Sequence, residues 1–252
     1  MSSLEGKVAF ITGASMPKGI GKTAAVALAR MGAHVAVSGF SHVEGAQAVA
    51  DEIKALGRKS VAVKMDGRDE AEVFKAYETI KNELGPVEIL VNNAALMGHN
   101  ISIAKTTIPE WDNEVKICLN SAFYCIKAGW ADMCANKFGR IINITSVAGV
   151  LGGTGQTSYG AAKAGLIALA KSTALEGARF GITANCVLIG ISATDGYDLL
   201  PQPVREKVEK KTAIGRPAYP QEIADAIAFA ASSDYMTGAI VNMMGGLDLF
   251  VF

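Results

Sequence analysis

The sequence predicts an α/β fold of Rossmann type: a single doubly wound parallel sheet with helices on both faces. Two patterns carry that reading. Short runs rich in Val, Ile and Ala with little polar alternation, such as "KVAFITG" and "VEILVNNA", suit strands buried on both sides. Helix-length segments separate these runs almost from end to end, and right-handed crossovers turn that order into a parallel sheet. The chain has 252 residues and shows no linker, repeat or low-complexity tract, so 1–252 reads as one domain.

The first strand, 7–13, runs through a glycine-rich turn into a helix over 19–31. The second, 34–39, leads to a helix over 42–56 that Gly57 stops. A third strand, 60–66, precedes a helix over 69–84, and a fourth spans 87–94. One long helix is expected over 109–136, followed by a strand at 139–146, a helix over 157–178 and a strand at 182–188. A helix over 220–231 and a strand at 239–243 complete the order.

Composition narrows the function classes. Half of the residues are hydrophobic and only 19% are charged, which suggests a large core together with a buried subunit interface. Lys and Arg number 24, as do Asp and Glu, so no electrostatic footprint marks a nucleic acid or an anionic membrane as partner. The N-terminus lacks the basic-then-apolar order of a secretory signal. The longest uncharged run, 141–162, is too rich in Gly, Ser, Thr and Asn to span a membrane. Cys118, Cys125, Cys134 and Cys186 form no C-x-x-C pair and no metal spacing. No metal site is expected, and free thiols point to a reducing, cytoplasmic setting.

The stretch "TGASMPKGIG", 12–21, leaves a strand and enters a helix, the context a dinucleotide loop requires. Gly13 can make the tight turn. Gly19 lets backbone approach a pyrophosphate, and free N–H groups around Ile20 and Gly21 attract its charge. Ser15 and Lys18 lie between these glycines. Alone, the match is weak, since the chain holds 27 glycines.

Other segments add to it. "NNAA" closes a strand at 92–95, "CLNSAF" carries Asn120, and "ITSVAGVLGGTGQTSYGAAK" carries Ser146, Tyr159 and Lys163 in order. On these residues the chain resembles the classical short-chain dehydrogenase/reductase family over nearly its whole length. The resemblance implies hydride transfer between NAD(P) and a secondary alcohol or ketone. The family's usual loop is T-G-x-x-x-G-x-G, and the two additional residues here are expected to bulge toward the adenosine end. An enoyl reductase fits less well, because that relative spaces its Tyr and Lys more widely.

Such chemistry must also move a proton on the substrate oxygen, and a phenol with a pKa of about 10 is a poor base at neutral pH. A nearby ammonium would favour the phenolate, and Lys163 lies four residues beyond Tyr159 on the same helical face. Tyr159 is thus expected to be the general acid/base, with Lys163 tuning it and holding the nicotinamide ribose. Ser146 would orient the substrate oxygen. The resemblance implies that Asn120 holds a water linking Lys163 to solvent. Each residue has an ordinary reading as cap, turn or solvated charge; their joint order and spacing favour catalysis.

For the cofactor, the resemblance implies that Asp66 receives the adenine amino group beside Gly67, and that Asn93 steadies the strand end. It also places Ile191 and Thr194 at the nicotinamide carboxamide, although Ile189-Gly190 replaces the usual P-G. No acid stands at Gly39, Phe40 or Ser41 to accept from a ribose 2′-OH. Lys18 is expected to favour a 2′-phosphate, so NADP is preferred over NAD, although no Arg follows the strand and His42 is a weak substitute.

The resemblance implies a substrate lid over 195–212, with Tyr197, Leu199 and Leu200 facing Leu96, Met97, Val150, Leu151 and Gly153. The absence of a cationic cluster there favours a neutral apolar or aryl ketone. Reduction of a 3-oxoacyl group on an acyl carrier protein is the alternative, with Lys207, Lys210 and Lys211 toward the carrier. From another class, a non-catalytic dinucleotide sensor stays open. Small apolar residues in helices 109–136 and 157–178 and the "LDLFVF" tail suggest a buried interface, and the resemblance implies a homo-oligomer paired through them, with a tetramer favoured.

Overall fold

β-Branched and small apolar residues form seven strands in the computed structural model, which describes residues 3–96 and 100–249. They are β1 (Val8–Ile11), β2 (His34–Gly39), β3 (Ser60–Lys64), β4 (Ile89–Asn92), β5 (Gly139–Ser146), β6 (Ile182–Ile189) and β7 (Ile240–Met243). All pair in parallel in one sheet of order β3-β2-β1-β4-β5-β6-β7. The order reverses between β1 and β4, which opens a crevice at the carboxyl ends of those strands.

Helices cover both faces. On one side α1 (Ile20–Arg30), α2 (Val43–Ala55) and α10 (Pro220–Ser232) bury Leu28, Ile53 and Ile227 against the sheet. On the other, α3 (Glu70–Glu83) and α5 (Ser121–Asn136) bury Tyr77, Ile80 and Met133, and the Tyr77 ring meets Phe10 edge-on. Asp69 caps α3 by accepting from the Ala71 and Glu72 amides. A long α7 (Thr157–Gly177) packs along β5 and β6.

The expected helix over 109–136 is broken. α4 (Ile108–Val115) passes into a π-helical turn, Lys116–Asn120, before α5 begins. A π turn holds one extra residue and so rotates the face that the following side chains present. A short helix, α6 (Ala148–Leu151), also interrupts the glycine-rich run after β5. The lid segment forms two short helices, α8 (Asp195–Asp198) and α9 (Gln202–Glu209). Met97 and the last three residues of the apolar tail fall outside the described residues.

Candidate active site

A cavity of about 810 Å³ opens at the carboxyl end of the sheet, between the turn after β1, the ends of β2 to β6 and the lid. Its floor begins at the glycine turn. Gly13 has φ +66, and a Cβ there would lie 2.9 Å from the Ala94 Cα, so only glycine fits. Asn93 holds that turn against β4: its side-chain amide donates to the Thr12 and Gly13 carbonyls at 2.9 and 3.0 Å. Gly21 does not line the cavity; a Cβ there would collide with the Asn93 amide at 2.6 Å.

At the start of α1, Gly19 supplies no side-chain cap and the first turn carries no acid. Uncapped N–H groups facing a cavity make a ready anion site. Gly13, Ser15, Gly19 and Ile20 line it. The size of the cavity, the glycine turn and the open helix terminus therefore fit a dinucleotide with its pyrophosphate on α1.

The inserted residues do not lean only toward the adenosine end. Met16 lines the cavity, but Lys18 does not. The Lys18 amide donates to Asp195 at 2.9 Å and its ammonium pairs with Asp198 at 2.5 Å, so the insertion ties the glycine loop to α8. The expected role of Lys18 toward a 2′-phosphate has no geometric support.

A different cation stands at the adenosine end. Arg68 lies over the Phe40 ring at 5.3 Å, and both line the cavity with Gly39, Ser41, His42, Asp66 and Gly67. Its guanidinium donates to both Asp66 oxygens and, at 2.8 Å, to Asn113. Those bonds hold the Asp66 carboxyl below the usual carboxylate range. Asp66 thus meets Arg68 as well as the cavity. No Arg follows β2; the cation at this end arrives instead from the turn after β3.

The chemistry-bearing residues converge at the other end. Ser146 ends β5, while Tyr159 and Lys163 project from α7; all three line the cavity. The Ser146 hydroxyl stands close enough to the Tyr159 phenol to favour its ionised form. The Lys163 ammonium is buried, sits 5.6 Å from the centre of the Tyr159 ring, and donates to the Ile144 carbonyl at 2.8 Å. Burial lowers its pKa.

Burial pushes Tyr159 up to about 12, and the nearby Ser146 hydroxyl only partly opposes this. Lys163 is turned to a backbone carbonyl rather than to the phenol oxygen. Burial therefore favours the protonated phenol.

Asn120 ends the π-helical turn, half-buried, and does not line the cavity. Ile117 is the residue of that turn that lines the cavity, and Cys118 is the one within electrostatic reach of Lys163. Its thiol is buried, lies 3.8 Å from the Leu96 carbonyl, and feels the Lys163 ammonium. Helical phase is the missed signal, since Glu114 and Cys118 are four apart while Asn120 falls on another face.

Thr194, Ile191 and the lid residues Tyr197 and Leu200 line the cavity, opposite Leu96. Leu199 is 86% exposed and points away, and Val150, Leu151 and Gly153 also lie outside the lining. Gln156, just before α7, takes the place they were expected to fill. Among the described residues no His/Cys/Asp/Glu group could hold a metal ion, and no helix is long and apolar enough to cross a membrane.

Comparison with known proteins agrees with this architecture. The family described as Enoyl-(Acyl carrier protein) reductase matches residues 13–248. The 3-oxoacyl-acyl-carrier-protein reductase of Escherichia coli (strain K12) is 39% identical over 247 residues, which cover 97% of this chain and 98% of that protein. The enzyme of the same name from Staphylococcus aureus is 37% identical over 243 residues, 96% of this chain and 98% of that one. Among solved structures, a chain from Sinorhizobium meliloti 1021 provisionally assigned as a short-chain alcohol dehydrogenase superposes with a TM-score of 0.92 at 30% identity, covering 99% of both chains.

Proposed function

Since the chain belongs to the short-chain dehydrogenase/reductase family, we propose that it reduces a keto group with NADPH, with Tyr159 as the proton donor. The observation that carries the reading is the convergence of Ser146, Tyr159 and Lys163 on one cavity whose far end fits a dinucleotide. Bound there, the nicotinamide supplies the hydride; the chain's own residues do the rest. Ser146 orients the substrate oxygen, Tyr159 gives it a proton, and Lys163 is placed to hold the ribose.

NADP is favoured over NAD by the adenosine end of the cavity. No carboxylate stands at Gly39, Phe40 or Ser41, Asp66 is neutralised, and Arg68 retains N–H groups beyond those given to Asp66 and Asn113. A 3-oxoacyl thioester is the favoured substrate class, because the relatives carrying that activity in their names align over nearly all of both chains. A free apolar ketone is the second reading. It is supported by the apolar wall of Leu96, Ile191, Tyr197 and Leu200.

Exposed Phe123 on α5, Leu175 on α7 and Ile240 on β7 support a homo-oligomer, with a tetramer favoured. Four free cysteines suit a reducing, cytoplasmic setting. The test is oxidation of NADPH, followed by absorbance, with an acetoacetyl thioester set against a panel of free ketones. Faster turnover of the thioester supports the first reading, and faster turnover of a free ketone the second. Tight NADPH binding with no turnover of either would make the protein a sensor.

A further inference from the structure

Behind the catalytic pair lies a carboxyl group that the reaction as described does not use. Glu114 is the buried residue of α4, only 7% exposed. One of its oxygens accepts a hydrogen bond from the buried Ser158 hydroxyl, in the first turn of α7 and next to Tyr159. Its other oxygen, Oε1, is buried with no hydrogen-bond partner. A buried acid left half-satisfied is costly, and an apolar side chain could fill the same space without that cost. Such a cost persists where the group has work to do.

We propose that Glu114 is a positioning residue for the redox site: through Ser158 it fixes the turn of α7 that presents Tyr159, and its charge favours proton donation by Tyr159 over proton abstraction. The inference rests on the keto-reductase reading. The N-terminal dipole of α7 is the favourable field that tolerates an acid at this point. The groups facing Tyr159 and Glu114 are Ser146 from β5, Cys118 from the π-helical turn, and Ser158 and Lys163 from α7. Arg68 touches α4 at Asn113. The Glu114 carboxyl adds to the burial that raises Tyr159, and it raises Cys118 as well.

In reduction, the Tyr159 O–H bond breaks as its proton passes to the substrate oxygen, while the hydride from NADPH forms the new C–H bond. The rate therefore falls as pH rises past the point where Tyr159 ionises. Removing a neighbouring negative charge lets the phenol ionise more easily, so that descending limb moves to lower pH.

The test is the pH profile of ketone reduction by Glu114→Gln at saturating NADPH. The expected result is a downward shift of the limb by a fraction of a unit, reversed at least in part by Glu114→Asp. Ser158→Ala keeps the charge but loses the clamp, and is expected to lower kcat several-fold at every pH with the limb in place. That variant carries the test if Glu114→Gln does not fold. A limb unmoved in Glu114→Gln, or a kcat unchanged in Ser158→Ala, overturns the inference while the redox reading stands. A wild-type chain that reduces neither an acetoacetyl thioester nor any free ketone overturns both.

Discussion

Tyr159 and Lys163 share one face of α7, yet the ammonium is committed to the Ile144 carbonyl and the phenol is held near 12. Reduction, which needs the protonated phenol, should therefore hold its rate through neutral pH and decline only on the alkaline side. Oxidation of the alcohol, which needs the phenolate, should climb over the same range. Rate profiles in both directions check this; a reduction rate that rises with pH would contradict it. At the adenosine end, Arg68→Ala should raise the KM for NADPH by roughly tenfold to a hundredfold while changing that for NADH little, the scale of one lost charge-assisted contact. Equal effects on the two cofactors would remove Arg68 from the specificity account. Ser146, Tyr159 and Lys163 were legible in the sequence because two of them lie within one helical turn and the third at a strand end. Arg68, Cys118 and Glu114 were not, because each acts across elements that only packing brings together.

The strands and most helices follow from apolar runs and their stops, so their order was readable. The π-helical turn was not, since Lys116–Asn120, "KICLN", holds no Gly or Pro to mark an extra residue. Of that turn, Ile117 lines the cavity, Cys118 lies behind it within electrostatic reach of Lys163, and Asn120 lies outside the lining. The glycine loop teaches the same lesson. Its glycines identify the turn, but Lys18 is spoken for by Asp195 and Asp198. Lys18→Ala should leave the NADPH-to-NADH preference within about twofold and stability nearly unchanged, because the pair is exposed and screened by solvent. A collapse of NADPH preference in that variant would restore Lys18 to the 2′-phosphate. Gly13→Val, by contrast, places a Cβ into Ala94 at a positive φ and should weaken both folding and cofactor binding, read by Tm and by dinucleotide titration.

For the molecule as a whole, α5, α7 and β7 carry the exposed apolar side chains Phe123, Leu175 and Ile240. β7 ends the sheet, and an uncovered edge strand invites pairing or burial. Light scattering at micromolar concentration should give about four times the 26.3 kDa chain mass. A monomer would mean that these side chains face water. Assembly and substrate class lie beyond a single chain's core packing, which is why composition hinted at an interface without locating it.

The most direct test of the account is single-turnover reduction of an acetoacetyl thioester by the NADPH-loaded protein, with the wild type and Tyr159→Phe compared side by side. The phenol is the proposed proton donor, so the variant should bind NADPH as tightly as the wild type but lose about 10²–10⁴-fold in rate. A Tyr159→Phe protein that reduces the keto group at the wild-type rate would contradict it.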